Sequence, residues 1–550
     1  MAERVPWLAR LVTRLAGLVP WLRWPGMPGG RRLVQAVFLV AFVVLFVRMR
    51  YPFHPSPAPD LLLRTSPLAP LFFGAADRAV PWAWWPGLVV LALTPLLGRF
   101  FCSWVCPLGA MLDLVGERLA PADQARQGAQ ARSWPAGKFL VLAAVVAAAV
   151  AGLHAWFFFD PLAVANRGMT VVLFPLGTWA AQGVAGLLEL VPGAGGLAGT
   201  LRRSLRGWVM PEGQTEPAFF WFTAVFFLGL LATEWVTRRF WCRTLCPAGA
   251  LLALCSRFRG VRRQVDSSCV QCRQCSRRCP MGAIPDDDVT ATARGECTLC
   301  LDCLDHCPVG LRAIGFVPGW APWPEGMPVP TVPLGFAAVT PVDLTRRRLL
   351  QAAAGGLLAA GGARVALDDP RVSSQLIRPP GALPEPAFLE RCIRCLACVR
   401  VCSSNGGCLQ PAGFEAGFPR LWTPRAHMKA GYCEYNCNLC GQVCPTGAIK
   451  RLPEAEKQKT VMGQACFNKN HCIPYAKLTD CLVCEEHCPL PEKAIQTHER
   501  EVDLPDGSRR KVKFPYVVPE RCIGCGICEH KCPLPGTATG VFVVRAYENR

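Results

Sequence analysis

Cysteine carries the chemistry of this chain. Residues 269–280 read C-V-Q-C-R-Q-C-S-R-R-C-P, and residues 297–308 read C-T-L-C-L-D-C-L-D-H-C-P. Each is C-x₂-C-x₂-C-x₃-C-P, a run that holds four-iron clusters in pairs. Three thiolates take three corners of one cube and the fourth reaches the other cube. The crossing assigns Cys269, Cys272, Cys275 and Cys307 to one cluster and Cys297, Cys300, Cys303 and Cys279 to the second. Four more groups follow: Cys392, Cys395, Cys398 and Cys402; Cys433, Cys437, Cys440 and Cys444; Cys472, Cys481, Cys484 and Cys488; and Cys522, Cys525, Cys528 and Cys532. Applied as a nest, the same rule pairs the first group with the fourth and the second with the third. The predicted sets are Cys392, Cys395, Cys398 with Cys532; Cys522, Cys525, Cys528 with Cys402; Cys433, Cys437, Cys440 with Cys488; and Cys472, Cys481, Cys484 with Cys444. Six [4Fe–4S] clusters result.

Zinc also uses C-x₂-C, but zinc sites pair doublets rather than quartets ending in Cys-Pro. A disulfide scaffold is a short secreted chain, and this chain has 550 residues with 31 cysteines in tight runs. Several thiols stay unplaced. Cys466 competes with Cys472 as a ligand. Cys408 and Cys466 are open to a disulfide or to plain thiol roles. Cys255 reads as structural.

Four cysteines differ in kind. R-F-F-C-S-W-V-C-P-L-G around Cys102 and Cys106 recurs as R-F-W-C-R-T-L-C-P-A-G around Cys242 and Cys246, an internal repeat. Spacing i, i+4 sets each pair on one helix face. A further metal or cluster, a redox dithiol, a Cu(I) site, which soft thiolates suit, and helix-end packing all remain open for them. His154, Asp160 and Arg167 are candidates for proton handling in quinol chemistry, because ionisable groups in an apolar half are costly and tend to be functional.

The elements that position these residues are apolar in the first half. Spans are expected at 33–49, 82–98, 139–159 and 218–236, with 169–192, broken by Pro175 and Gly177, re-entrant or a fifth span. An arginine-rich interfacial helix is expected over 1–32. The formal charge of +20, from 59 basic and 39 acidic residues, comes with no nucleic-acid motif. It reads as the positive-inside rule and contact with anionic lipid. The fold class is therefore an α-helical membrane domain (four full spans plus one re-entrant or fifth span) with two ferredoxin-like α+β iron–sulfur domains. The expected domains are a membrane domain at 1–260, a two-cluster ferredoxin at 261–315, a linker at 316–344, a twin-arginine-like signal or anchor helix at 345–366 (T-R-R-R-L-L-Q, then Ala, Gly and Leu), and a four-cluster ferredoxin at 367–550.

The two Cys-x₃-Cys-Pro motifs, the Asp160-Pro161…Arg167-Gly168 segment and the cluster runs at 269–279 and 297–307 resemble the NapH/NosR/CcoG group of membrane polyferredoxins. The twin-arginine start and four cysteine groups of 345–550 resemble the NapG/MauM ferredoxins. The resemblance implies a fused chain in the inner membrane. Residues 261–315 would be cytoplasmic and 367–550 periplasmic. Electrons would pass from the quinol pool to a periplasmic reductase or cytochrome, and the chain would be a carrier or a quinol dehydrogenase component. The copper-linked relatives in the group imply an alternative, a maturation or metal-handling factor for a respiratory oxidase or reductase.

Overall fold

The computed structural model describes residues 29–53, 56, 58–77, 82–119, 136–153, 155–190, 195–208, 217–256, 260–309, 313–318, 345–367, 376–503, 508–534 and 539–545. Most of the expected interfacial helix, His154 and linker residues 319–344 lie outside the described residues. The chain divides into two compact units. One is Met1–Leu45, Leu61–Ala165 and Val225–Gly361; the other is Phe46–Asp60, Asn166–Ala224 and Gly362–Arg550. The division runs through the apolar half, so each unit combines apolar helices with cluster-type modules.

Among the described residues two helices are long and apolar enough to cross a membrane, Gly30–Arg48 with 19 residues and Pro161–Glu189 with 29. Trp85–Leu97, Gly137–Val150 and Phe220–Trp235 are apolar but shorter. At ~1.5 Å per residue, the 14 residues of Gly137–Val150 give about 21 Å, against a ~30 Å hydrocarbon core. Of the four spans expected, only the first is a helix of full crossing length. Residues 169–190 correct the expected break. Pro175 falls at the start of the helix Phe174–Glu189, and the preceding five residues, Met169–Leu173, form a π-helical turn. Proline lacks an N–H and clashes with the carbonyl four residues back. A wider π turn at that place absorbs both defects and lets the helix continue.

The cluster-type modules share one closing device. In the first unit, β1 (Val261–Val265) pairs antiparallel with β2 (Ile314–Pro318), so the chain entering the first cysteine run joins the chain leaving the second. In the second unit, β3 (Leu409–Pro411) and β4 (Pro424–Ala426) make a hairpin. Around it, Gly381–Leu383 straps to Ala448–Lys450 through Leu383 N–H to Ala448 O (3.1 Å) and Lys450 N–H to Gly381 O (2.8 Å). This strap encloses cysteine groups one and two. A third strap, β5 (Gly463–Phe467) with β8 (Val541–Arg545), encloses groups three and four. The hairpin β6 (Ile495–Asp503) and β7 (Arg509–Val517) lies within it.

The cysteine loops carry a backbone signature. In the runs starting at Cys269, Cys297, Cys392 and Cys522, the residues just before and just after the second cysteine have positive φ. They are Gln271 and Arg273, Leu299 and Leu301, Arg394 and Leu396, and Gly524 and Gly526. Left-handed backbone costs a non-glycine residue about 1–2 kcal/mol, and such strain persists where a site requires it. Here it curls each loop so that three thiols face one centre.

Candidate metal centres and the polar contacts that hold them

Three cysteine-lined cavities of similar size mark the centres. Cys279, Cys297, Cys300 and Cys303 line a space of ≈ 370 Å³. Cys402, Cys433, Cys437 and Cys440 line one of ≈ 380 Å³, and Cys472, Cys481, Cys484 and Cys532 one of ≈ 320 Å³. Apolar residues make up most of the remaining walls. Burial pushes the Cys303 and Cys433 thiols up to about 12. Thiols this reluctant to ionise become thiolates when a metal takes the charge. Among the described residues no three His, Cys, Asp or Glu side chains converge as a single ion requires. Four cysteines around one space is the donor set of a four-iron cluster, and the residues present fit it.

Ligand sets follow from which thiols face each other. In the first unit the crossing is as expected: Cys279 joins Cys297, Cys300 and Cys303, while Cys275 lies near Cys269 and Cys272 in the same small core as Cys307. In the second unit the nested pairing is corrected. Cys402 lines the Cys433 cavity and Cys532 the Cys472 cavity. Cys444 lies in electrostatic reach of Cys392, Cys395 and Cys398, and Cys488 of Cys525. Groups one and two therefore exchange fourth cysteines, as do groups three and four. The straps explain it: each encloses two consecutive groups.

Cys472 is buried in its cavity, whereas Cys466 is half-buried on β5 near Cys522, outside that lining. Of the two, Cys472 is the thiol that faces this cavity. Cys408 lies against Cys402, so the two unplaced thiols Cys408 and Cys466 are not partners.

In the first unit, one cluster loop is gripped by the repeated motif. Ser103 Oγ donates to Thr298 Oγ1 at 2.7 Å and Trp104 Nε1 donates to Leu299 O at 3.2 Å. Arg99 pairs with Glu296, beside Cys297, at 2.9 Å, and Lys138 Nζ donates to Glu296 Oε1 at 2.5 Å. Burial pushes the Glu296 carboxyl up, but Lys138 and Arg99 overcome this and hold it below the usual carboxylate range.

The repeat closes on itself reciprocally. Arg99 Nη2 donates to Cys242 O at 3.3 Å, and its counterpart Arg239 Nη1 donates to Cys102 O at 3.2 Å. Cys102, Cys106, Cys242 and Cys246 are all buried and within electrostatic reach of one another. Gly109 N–H and Gly249 N–H point at Cys106 Sγ and Cys246 Sγ, at 3.5 and 3.3 Å. Arg239 also binds Asp113 through Nε at 2.7 Å and Nη2 at 2.6 Å. Asp113 further accepts from Arg31 (3.0 Å) and Gln35 (2.9 Å), and Arg31 continues to Asp302 at 3.0 Å. Burial raises the Asp113 carboxyl, yet Arg239 and Arg31 together hold it well below the usual range. In the sequence Arg99 and Arg239 stand only as the first residue of each repeated motif, and Asp113, Glu296 and Asp302 draw no notice. The acids occur once each rather than in the repeat, so the repeat pattern gave no sign of them.

In the second unit, Asn166 Nδ2 donates to Cys395 O at 2.7 Å and Arg167 Nε donates to Arg394 O at 3.3 Å. The Arg167 guanidinium lies 4.1 Å from the Trp422 ring centre, and Trp422 Nε1 donates to Thr223 Oγ1 at 3.1 Å. From the loop's own helix, Ala397–Cys402, Arg400 lies 4.1 Å over Phe174. Arg167, a candidate for proton handling, seats the loop of the first cysteine group. Asp160 accepts from Ser66 Oγ at 2.6 Å and from Ala163 N–H at 2.9 Å, capping its helix.

Arg167→Ala removes a buried cation–π contact and a charged hydrogen bond, together worth roughly 3 kcal/mol. Iron should leave the Cys392 centre faster under chelator than in the parent protein. Arg167→Lys should not restore it, since an ammonium lacks the flat stack. Release kinetics equal to the parent's would remove this role from Arg167.

Three family models match parts of the chain. One described as a 4Fe-4S binding domain matches residues 80–122 and again 219–265, the two halves of the repeat. A 4Fe-4S dicluster domain matches 268–311, and another 4Fe-4S binding domain matches 515–534. The methylamine utilization ferredoxin-type protein MauM of Methylorubrum extorquens is 35% identical over 159 residues, 28% of this chain and 67% of that protein. The ferredoxin-type protein NapG of Escherichia coli is 34% identical over 188 residues, 33% of this chain and 78% of that protein. The methylamine utilization ferredoxin-type protein MauN of Methylobacillus flagellatus is 26% identical over 266 residues, 46% of this chain and 74% of that protein. No solved structure matches. With its strapped pairs of four-cysteine centres and these relatives, the chain belongs to the ferredoxin-type iron–sulfur electron-transfer proteins that include MauM and NapG.

Proposed function

We propose that this chain is a membrane-bound electron carrier, a NapH-like half fused to a NapG-like half, taking electrons from quinol toward a periplasmic redox partner. Six [4Fe–4S] clusters would supply one-electron chemistry when bound. The observation that carries the reading is the seating of cluster loops on polar side chains of the apolar helices. Ser103, Trp104 and Arg99 grip residues 296–299, and Asn166 and Arg167 grip residues 394–395. Such contacts fix a centre against the apolar half, where a lipid-soluble donor is found.

The mutual contact of the two Cys-x₃-Cys-Pro motifs supports their lying on one face. The helix Arg346–Leu367 supports an anchor role for the twin-arginine segment. A Cβ at its Gly356 would stand 2.1 Å from Ala144 O, the close approach that small residues allow between packed helices. In this reading residues 261–315 are cytoplasmic and 367–550 periplasmic.

Iron analysis and topology mapping test the proposal together. Purified chain should carry about 24 irons, quinol should bleach its visible absorbance, and a reporter fused after Arg550 should be active in the periplasm. A cytoplasmic reporter would overturn the export reading. Clusters that dithionite reduces and quinol does not would overturn the donor.

A further inference from the structure

The cavity of Cys402, Cys433, Cys437 and Cys440 holds one thiol more than a cube can use. Cys408 lines it as well, is 2% exposed, and its Sγ stands 4.0 Å from Cys402 Sγ. A tight glycine turn delivers it there. Gly406 and Gly407 have φ of 87° and 71°. A Cβ on Gly406 would meet Tyr432 O at 2.3 Å, and one on Gly431 would meet Gly406 O at 2.2 Å. The backbone therefore sets the position of Cys408 with little slack.

Two sulfurs 4.0 Å apart are in van der Waals contact, closer than thiolates on neighbouring corners of a cube. They converge on one corner, and Cys433, Cys437 and Cys440 supply the other three. We propose that Cys408 is a reserve ligand for the corner that Cys402 holds. Leu409 N–H points at Cys402 Sγ at 3.4 Å, so with Cys402 as the bound thiolate the Cys408 S–H would donate to it. In an exchange, the Cys402 sulfur leaves iron as the Cys408 sulfur binds, and the Cys408 proton moves to Cys402. No electron is gained or lost. In the resting site the same S–H would stabilise the more negative, reduced state, because hydrogen bonds to ligand sulfur tune cluster potential.

This rests on reading the cavity as a four-iron site, and the experiment separates the two ideas. Iron content and EPR spectra would be compared for the full-length holoprotein and for Cys433→Ala, Cys402→Ala, Cys408→Ala and the Cys402→Ala/Cys408→Ala double variant. Cys433→Ala should lose about four irons per chain; if it loses none, the cavity is not a cluster site. Cys402→Ala and Cys408→Ala should each keep the parent iron content, with the EPR signal of one centre altered. The double variant should lose as much iron as Cys433→Ala. A Cys402→Ala single variant as depleted as the double overturns the proposal. Should Cys402→Ala not accumulate, Cys408→Ala decides by redox titration: one midpoint potential must move negative, and an unmoved set overturns the proposal.

Discussion

Asp113→Ala should be the most damaging single substitution in the first unit. The carboxylate is 3% exposed and binds Arg239, at 0%, through two oxygens and Arg31, at 1%, through one. Removing it leaves buried guanidinium charge without its main counter-charge, a loss of ~3–5 kcal/mol for a buried pair. For a unit of this size that corresponds to a melting temperature lower by roughly 10 °C. Asp113→Asn should fall between, keeping hydrogen bonds but not charge. The sign with pH follows from the depressed carboxyl. Its stabilisation is complete above the ordinary carboxylate pKa of ~3.9 and is lost as pH falls through the lower folded value. The network should therefore be intact at neutral pH. Thermal melts of detergent-solubilised protein, followed by visible absorbance, measure it. A melt within a degree or two of the parent would show that Arg31 and Arg239 are satisfied otherwise.

Iron removal should have the second large effect. The small core within 261–318 is Cys275, Ile284, Val289, Cys303, Ala313 and Ile314, with Cys269, Cys279, Cys307, Leu304, Val309 and Phe316 packed on it. Five of these twelve side chains are thiols, so the aliphatic part is too small to hold the module by itself. Metal binding supplies the missing folding free energy. The core of Ala465, Cys484, Ala494, Ile495, Cys522, Cys528 and Val541 is built the same way. Chelation under mild oxidation should abolish the cooperative melt of both modules and open them to protease, while the apolar helices stay protected. A chelated chain that still melts cooperatively would show cores that do not depend on metal.

The centres were legible because their chemistry is local. Spacing alone placed the ligands around Cys279 and Cys303. Pairing in the second unit was not legible, since it depends on strand partners such as Gly463 with Arg545, which no cysteine spacing encodes. In the sequence, segment 169–192 stays open between re-entrant and a fifth span because Pro175 reads as a breaker, and the π turn that lets the helix continue is a tertiary accommodation. Arg167 drew notice as a charge in an apolar segment, but its partners are the carbonyl of Arg394 and the ring of Trp422, more than two hundred residues away in sequence.

The two related arginines differ in one respect. Arg239 finds its acid, Asp113, within the apolar half, whereas Arg99 and the buried Lys138 depend on Glu296, the residue before Cys297. Half of the charge compensation of the repeat thus arrives with an iron-bearing loop. Glu296 couples the packing of the apolar helices to the folding of the module at 261–318, because two buried cations meet their acid only when that loop is seated.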